Sequence, residues 1–533
     1  MPGPSIYDTT LRDGAQAVDI NLTAEDKARI ALKLDEMGVD YIEGGWPGSN
    51  PTDKNFFKDI RNYNFKHARI AAFGATHNNA NSPATDPNLK ALVACKAEVI
   101  TIFGKAWDMH VTQALRVDLE RNLELISGSL ARLKPHCQEL FFDAEHFFDG
   151  FKANRDYALA CLDAARAAGA DLLVLCDTNG GTMPCDVRDI CEAMAKALPG
   201  IKFGIHAHND TDMAVANSLM AVLAGARQVQ GTMNGYGERC GNANLCSIIP
   251  TLELKLNRRV LPEGNLRLMT EVSRFVDEVA NRVPFSRQPY VGESAFAHKG
   301  GVHVSAVAKN PKLYEHITPG KVGNVQRVML SDMAGQSNIM FKAKEYGIPL
   351  EKGSPEVLEI LAEVKEKEAV GYAYAVAEAS FELLMNRCMG LRRRYFTLVK
   401  YRVLDWRQAD CEEPLAEATI MIQVGGATEH TAAVGRGPVN SLDNALRKAL
   451  TRFYPRLSEM RLLDFKVRVL NMPDRDDSGT ASYVRVLITS GDHLRTWTTI
   501  GVSKNIIEAS WQALEDSVNY KLFLDDKLKP AKA

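Results

Sequence analysis

No apolar run in this sequence approaches the roughly 18–20 residues of a membrane span, so the pattern is that of a protein without membrane contact. No C-x-x-C pair occurs among the ten scattered cysteines, and a chain of 533 residues buries its core without staples. The cysteines therefore read as reduced thiols of a cytoplasmic protein. The start, MPGPSIYDTT, lacks the charged-then-apolar pattern of an export leader. Charge of one sign is scarce as well: a net −2 argues against nucleic acid or another polyanion as the main partner. The one basic cluster, LRRRYF at 391–396, reads as a solvated face or a junction. A G-x-G-x-x-G fingerprint is missing after the first strand candidate, which counts against an open, doubly wound dinucleotide-binding sheet.

What is present over the first 260 residues or so is one repeating rhythm, a short apolar run with a polar end followed by an amphipathic helical stretch. The runs are SIYDTTLRD, VDYIEGGW, ARIAAFGAT, AEVITIFGK, ELFFDAEH, DLLVLCDT, KFGIHAH and ARQVQGTMN. Between the first two lies TAEDKARIALKLDEMG, with Thr23 as N-cap and Gly38 as helix stop. Eight units of about 30 residues predict an α/β fold, a TIM (β/α)8 barrel over residues 1–262. The rhythm stops there. Residues 263–390 read as helical and linker subdomains, with Pro355 opening a helix. Residues 391–533 read as an α+β domain built from a βββα repeat, with Gly435 and Gly501 at matching turns into the helices. That last domain carries no catalytic constellation, which suits a regulatory or dimerisation module.

Barrel chemistry sits at the carboxyl ends of the strands. Here those ends carry Arg12, Asp13, Glu43, Lys105, Glu145, Asp177, Thr178, His206, His208 and Asn234. His206 and His208 alternate onto one face of a strand, and with Asp13 they make the two-histidine, one-carboxylate set of an open metal site. Such donors suit Zn, Mn, Co or Mg. A cation there would act as a Lewis acid on the keto group of a 2-oxo acid. Arg12 can face the oxygen that gains charge when that carbonyl is attacked, or form a rim salt bridge to Glu43 or Glu145. Glu145 reads as a general base, or as the group that orients Arg12 or a water.

Three segments, YDTTLRDGAQ, HAHND…AVANS and GTMNGYGERCGN, resemble the signatures of the 2-isopropylmalate, homocitrate and citramalate synthase family. The C-terminal repeat resembles that family's regulatory dimer domain, and EGGWPGSNPTD, FFDAEHFFDGFK and LCDTNGGTMP look most like its pyruvate-using branch. The resemblance implies a metal-dependent Claisen condensation of acetyl-CoA with pyruvate, followed by thioester hydrolysis. It implies Asp13, His206 and His208 as metal ligands, with Asn242 held more loosely. It places Arg12 on the keto oxygen, Glu43 and Thr178 in the substrate-binding set, and Glu145 in catalysis. His303 and Tyr314 match residues that complete a partner chain's site, so a homodimer with shared sites is expected, with isoleucine as effector at the C-terminal domain. Two departures stand out: Ala15 where the family carries an acid, and Cys240, which reads as a small buried residue. Phe103 and Asp143 are expected to line the acceptor pocket. Alternatives are a sibling synthase using a larger 2-oxo acid, or an acyl-CoA lyase on a similar barrel.

Overall fold

The computed structural model describes residues 3–330, 334–391, 393–407, 413–470 and 482–528. Each expected run forms a strand: β1 (Ser5–Asp8), β2 (Tyr41–Gly45), β3 (Arg69–Ala75), β4 (Val99–Lys105), β5 (Glu139–Glu145), β6 (Leu172–Asp177), β7 (Phe203–Ala207) and β8 (Gln228–Gly231). All pair in parallel with their neighbours, and β8 closes on β1, giving an eight-stranded closed barrel. The strands are buried on both faces, as a sheet wrapped by helices requires. Tyr7, Tyr41, Val99, Phe141 and Val174 point into the barrel as one cluster. Their sequence neighbours Ile6, Ile42, Ile100, Phe142 and Leu173 form the larger core under the helices.

The helix between β1 and β2 begins and ends where the sequence predicts. Thr23 and Asp26 make a capping box, and Gly38 stops that helix with φ 94°. One strand is shorter than its run. SIYDTTLRD pairs only as far as Asp8, because the chain then turns back, with Asp13 N and Gly14 N both donating to Thr9 O at 2.9 and 3.0 Å. That turn carries Arg12 and Asp13 over the barrel mouth.

The chain divides into two compact units. One runs to Phe296 and takes in His316–Gln326; the other holds Ala297–Glu315 and the residues from Arg327 onward. In the second unit β9 (Ala297–His298) pairs with β10 (Arg327–Val328), and helices follow, among them Pro355–Ala369 with Ser354 as N-cap. The βββα repeat comes next. β11 (Thr397–Trp406), β12 (Leu415–Val424) and β13 (Ala427–Gly435) form one antiparallel sheet, covered by helix Pro438–Leu450. β14 (Arg461–Leu470), β15 (Tyr483–Gly491) and β16 (Thr496–Ser503) form the other, covered by Ile506–Lys527.

Gly435 and Gly501 lie within the third strands rather than in the turns. Both permit close approach of strand and helix: an added Cβ would stand 2.4 Å from Ser441 N in the first repeat and 1.9 Å from Ala509 O in the second. Arg392 of the basic cluster lies outside the described residues, while Tyr395 and Phe396 are buried in the core of the repeat domain. The described cysteines are all free thiols. Among the described residues no helix is long and apolar enough to cross a membrane.

Candidate active site

His206 is the fourth residue of β7, and His208 follows the strand's last residue, so period-2 alternation sends both imidazoles to the barrel mouth. His208 is held by a bridge to Asn242, in the loop after β8 that folds back across the opening. The turn after β1 supplies the third member. Asp13 Oδ2 lies 3.2 Å from His206 Nε2 and 4.0 Å from His208 Nε2, and the two Nε2 atoms are 3.3 Å apart. All three residues are buried, and their donor atoms lie within 4.8 Å of one another. His206 Nδ1 faces Gln230 Oε1 at 2.9 Å, while Gln230 Nε2 donates to Asp143 Oδ1 at 3.3 Å. With the amide oxygen towards the ring, Nδ1 carries a hydrogen and Nε2 is the nitrogen turned to the cluster.

The electrostatics favour the same arrangement. Burial opposes ionisation of Asp13, but the Arg12 guanidinium and the imidazoles outweigh it and hold the carboxyl far below the usual range. Burial, then the neighbouring His206, pulls His208 down to about 3, so its ring is neutral. Burial lowers His206, but Asp13, by hydrogen bond and charge, outweighs it and raises that ring, so a divalent cation displaces its proton to take one carboxylate and two imidazole nitrogens converging on one point. Asn242 adds a polar side chain that is 1% exposed and whose Oδ1 and Nδ2 find no hydrogen-bond partner among the described residues.

Arg12 stands beside this cluster. Its Nε donates to Glu43 Oε2 at 2.6 Å, its Nη1 lies 3.4 Å from Asp13 Oδ1, and its guanidinium sits 3.7 Å over the Phe73 ring. Of the two salt bridges open to Arg12 in the sequence, the structure forms the one to Glu43. Glu43 is fully buried, and its other oxygen accepts from Tyr7 OH at 2.8 Å. Its geometry is thus that of a support beneath Arg12 rather than a group lining the mouth. Phe73 stacks on Phe103 at 5.5 Å, and Trp46 meets both rings edge-on at 5.9 and 5.8 Å. A buried Lys27–Asp53 pair fixes this wall from below: Asp53 accepts from Trp46 N, and Lys27 Nζ donates to Gly44 O.

Across the mouth, Glu145 pairs with Lys105 on the adjacent strand. Thr178 follows β6, and its Oγ1 accepts from His146 N at 2.9 Å. His146 takes φ +58°, a left-handed conformation that turns the chain sharply after Glu145. Asp143, one layer deeper, has its carboxyl pushed up to about 7, first by burial and with Glu43 adding to it against His206 and Arg12. Asp177 and Asn234 are tied inward instead. Asp177 accepts from Thr182 and Asn217, and Asn234 donates to Ser273 O and Asp277.

His303 and Tyr314, in the second unit, are brought to each other, their rings stacked 4.2 Å apart, with Tyr314 46% exposed. Cys240 corrects an expectation: it is exposed, because the loop between Gly237 and Gly241, both at positive φ, arches out of the core. Sequence reasoning passed over Gln230, Tyr7, Lys27 and Arg239. Gln228 and Gln230 in β8 were the available signal, as polar residues at inward positions of a buried strand. Arg239 clasps Asp210 with two nitrogens at 2.7 and 2.9 Å and donates to Thr178 O, a contact that only loop closure creates.

Residues 3–276 match the HMGL-like family, 290–371 the homocitrate synthase post-HMGL domain-like family, and 375–522 the LeuA allosteric (dimerisation) domain. An (R)-citramalate synthase of Geobacter sulfurreducens is 56% identical over 99% of both chains. The chain belongs to the (R)-citramalate synthase family. A 2-isopropylmalate synthase of Shewanella sp. (strain MR-7) stands further from this citramalate synthase family member, at 29% identity over 96% of this chain and 94% of its own. Among solved structures, the HMG-CoA lyase of Bacillus subtilis covers 54% of the chain and 98% of its own length, at 20% identity and a TM-score of 0.46.

Proposed function

We propose that the chain is an (R)-citramalate synthase that condenses acetyl-CoA with pyruvate, hydrolyses the resulting thioester, and so feeds the pyruvate route to isoleucine. The observation that carries this is the convergence of Asp13, His206 and His208 beside Arg12, in a chain 56% identical end to end to an (R)-citramalate synthase. Asp13, His206 and His208 would hold a divalent cation, with Asn242 in reach, and the donor set fits because both imidazoles turn Nε2 to the Asp13 carboxylate within 4.8 Å. When bound, such a cation supplies Lewis acidity to a 2-oxo acid.

The chain's own groups do the rest. Arg12, locked by Glu43 and Phe73, offers its remaining N–H groups to the keto oxygen that gains charge. Thr178 orients the acceptor's carboxylate. Glu145 takes the methyl proton of acetyl-CoA: the C–H bond breaks, its electron pair forms the enolate, and the enolate carbon bonds to the keto carbon as the C=O π pair moves onto the oxygen beside Arg12, which then takes a proton from solvent. Water then releases CoA. The three rings of Phe73, Phe103 and Trp46 beside Arg12 support a short acceptor over a longer one. His303 and Tyr314 act on the site of a second copy, and isoleucine acts as effector where C-terminal domains pair.

The test is release of free CoA thiol from acetyl-CoA with pyruvate, 2-oxoisovalerate or 2-oxoglutarate. Pyruvate should lead by at least about tenfold in kcat/KM, within the range one or two methylenes can command. Equal or faster turnover with a larger acid overturns the assignment. Full activity after stripping with a strong chelator overturns the role of the cation.

A further inference from the structure

Arg12 and the Asp13–His206–His208 cluster stand over β1 and β7, while Glu145, the group given the methyl proton above, closes β5 beside Lys105 at the end of β4, with Lys105 Nζ 5.5 Å from the Phe103 ring. Enolisation there places negative charge on the thioester oxygen, and Arg12 is committed to the acceptor's keto oxygen by Glu43 and Asp13. Of the eight barrel strands only β4 ends on a cation, Lys105. We infer that Lys105 is a catalytic residue whose ammonium holds the thioester oxygen as the methyl proton passes to Glu145, an assignment resting on the acetyl-CoA reading above.

Register and anchoring carry the argument. Lys105 and Glu145 are direct neighbours in the β4–β5 ladder and share the inward parity of Phe103 and Asp143. Their side chains pair, at 18% and 22% exposure, so both reach the opening. The backbone beneath them is fixed. Lys105 O accepts from Asn122 Nδ2 at 2.8 Å, and Ala106 N donates to Glu145 O at 3.0 Å. Those bonds serve the barrel's backbone, but a partly exposed ion pair adds little to stability, so folding does not account for the pair itself. Charge bookkeeping does. Before the reaction the ammonium faces the Glu145 carboxylate. When Glu145 accepts the proton it becomes neutral, and the same unit of negative charge appears on the thioester oxygen. The ammonium needs only to swing from one oxygen to the other, and it stays beside a single negative charge throughout. When the new C–C bond forms, the electron pair leaves the thioester oxygen, its carbonyl is restored, and Lys105 returns to the carboxylate once that proton is lost to solvent.

The experiment compares Lys105→Ala, Lys105→Met and Lys105→Arg with the parent, using acetyl-CoA and pyruvate. Loss of a single donor to a developing oxyanion is expected to lower kcat by about 10²–10³-fold. KM for pyruvate should change far less than kcat, within about threefold of the parent, because the lost donor acts on the thioester oxygen and Arg12 and Thr178 are kept. Ethylamine added to Lys105→Ala should restore at least tenfold of the lost rate, in proportion to its ammonium form, and Lys105→Arg should keep part of the activity. If Lys105→Ala melts early, Lys105→Met, which keeps the stem, carries the comparison of rates. A loss below threefold in both variants overturns the assignment. So does a large loss, in protein that melts like the parent, with neither amine rescue nor partial activity of Lys105→Arg, for that is how a merely structural lysine behaves. A parent protein that releases no CoA with any 2-oxo acid instead overturns the underlying reading, before any variant is made.

Discussion

Single side chains decide the chemistry here through what stands behind them. Gln230 touches no reacting atom, yet its Oε1 at 2.9 Å from His206 Nδ1 sets which nitrogen faces the cluster. Gln230→Ala should weaken divalent metal binding about 10–100-fold, read by competition against a chromogenic chelator, while leaving the fold intact. Arg12 should resist conservative replacement. Arg12→Lys keeps the charge but loses the planar contact with Phe73 and the forked reach to Glu43 and Asp13, so kcat should fall about 10²–10³-fold with little change in melting temperature. At this scale the sequence was informative about residue type. His-x-His and LRD name the donors, but nothing local tells that Glu43 lies under Arg12 or that Cys240 is exposed.

Elements respond to burial. Asp8, the last residue of β1, has its carboxyl pushed up to about 7 by burial, against hydrogen bonds from Thr10 N and Oγ1. In the unfolded chain it titrates near 3.8. Between those values the folded chain binds a proton that the unfolded chain has released, so this group's contribution falls as pH rises from about 4 to 7 and is level above. Asp8→Asn removes that slope. Relative to the parent it should gain roughly 2–4 kcal/mol across the window, measured by urea unfolding at several pH values. In the repeat domain, Gly501→Ala must push helix Ile506–Lys527 off β16, since the new Cβ would stand 1.9 Å from Ala509 O. A cost of about 1–3 kcal/mol to the second unit is expected, seen as a lower calorimetric transition. Strand and helix identities were legible here because period-2 and period-3.6 patterns are local. The role of Gly501 was not, because its reason is a helix several residues further along the chain.

On the scale of the whole molecule, the C-terminal repeat leaves apolar side chains uncovered. Leu463 on β14 is 56% exposed, and Val467 and Val469 beside it are also open to solvent. A row of this kind on an edge strand belongs against another chain, in keeping with the match to a dimerisation domain. The protein should sediment as a dimer, and Leu463→Asp with Val467→Asp should shift it to monomer; a fall in activity with that shift is expected if His303 and Tyr314 act on the site of a second copy, as proposed above. Removing residues after about 390 should abolish inhibition by isoleucine while sparing some condensation; inhibition that survives the truncation counts against an effector site in that domain.

The amino-acid order by itself determined the barrel, the βββα repeat and the donor types at the mouth, since each follows from alternation, capping and residue chemistry within a few positions. Only tertiary structure decided which donors meet. Asp13 and His208 are nearly two hundred residues apart in sequence and come within 4.0 Å because β8 closes on β1. Barrel closure likewise chose Glu43 over Glu145 as the partner of Arg12 and set Lys105 against Glu145, contacts fixed by the ladder register of a closed sheet rather than by any spacing along the chain.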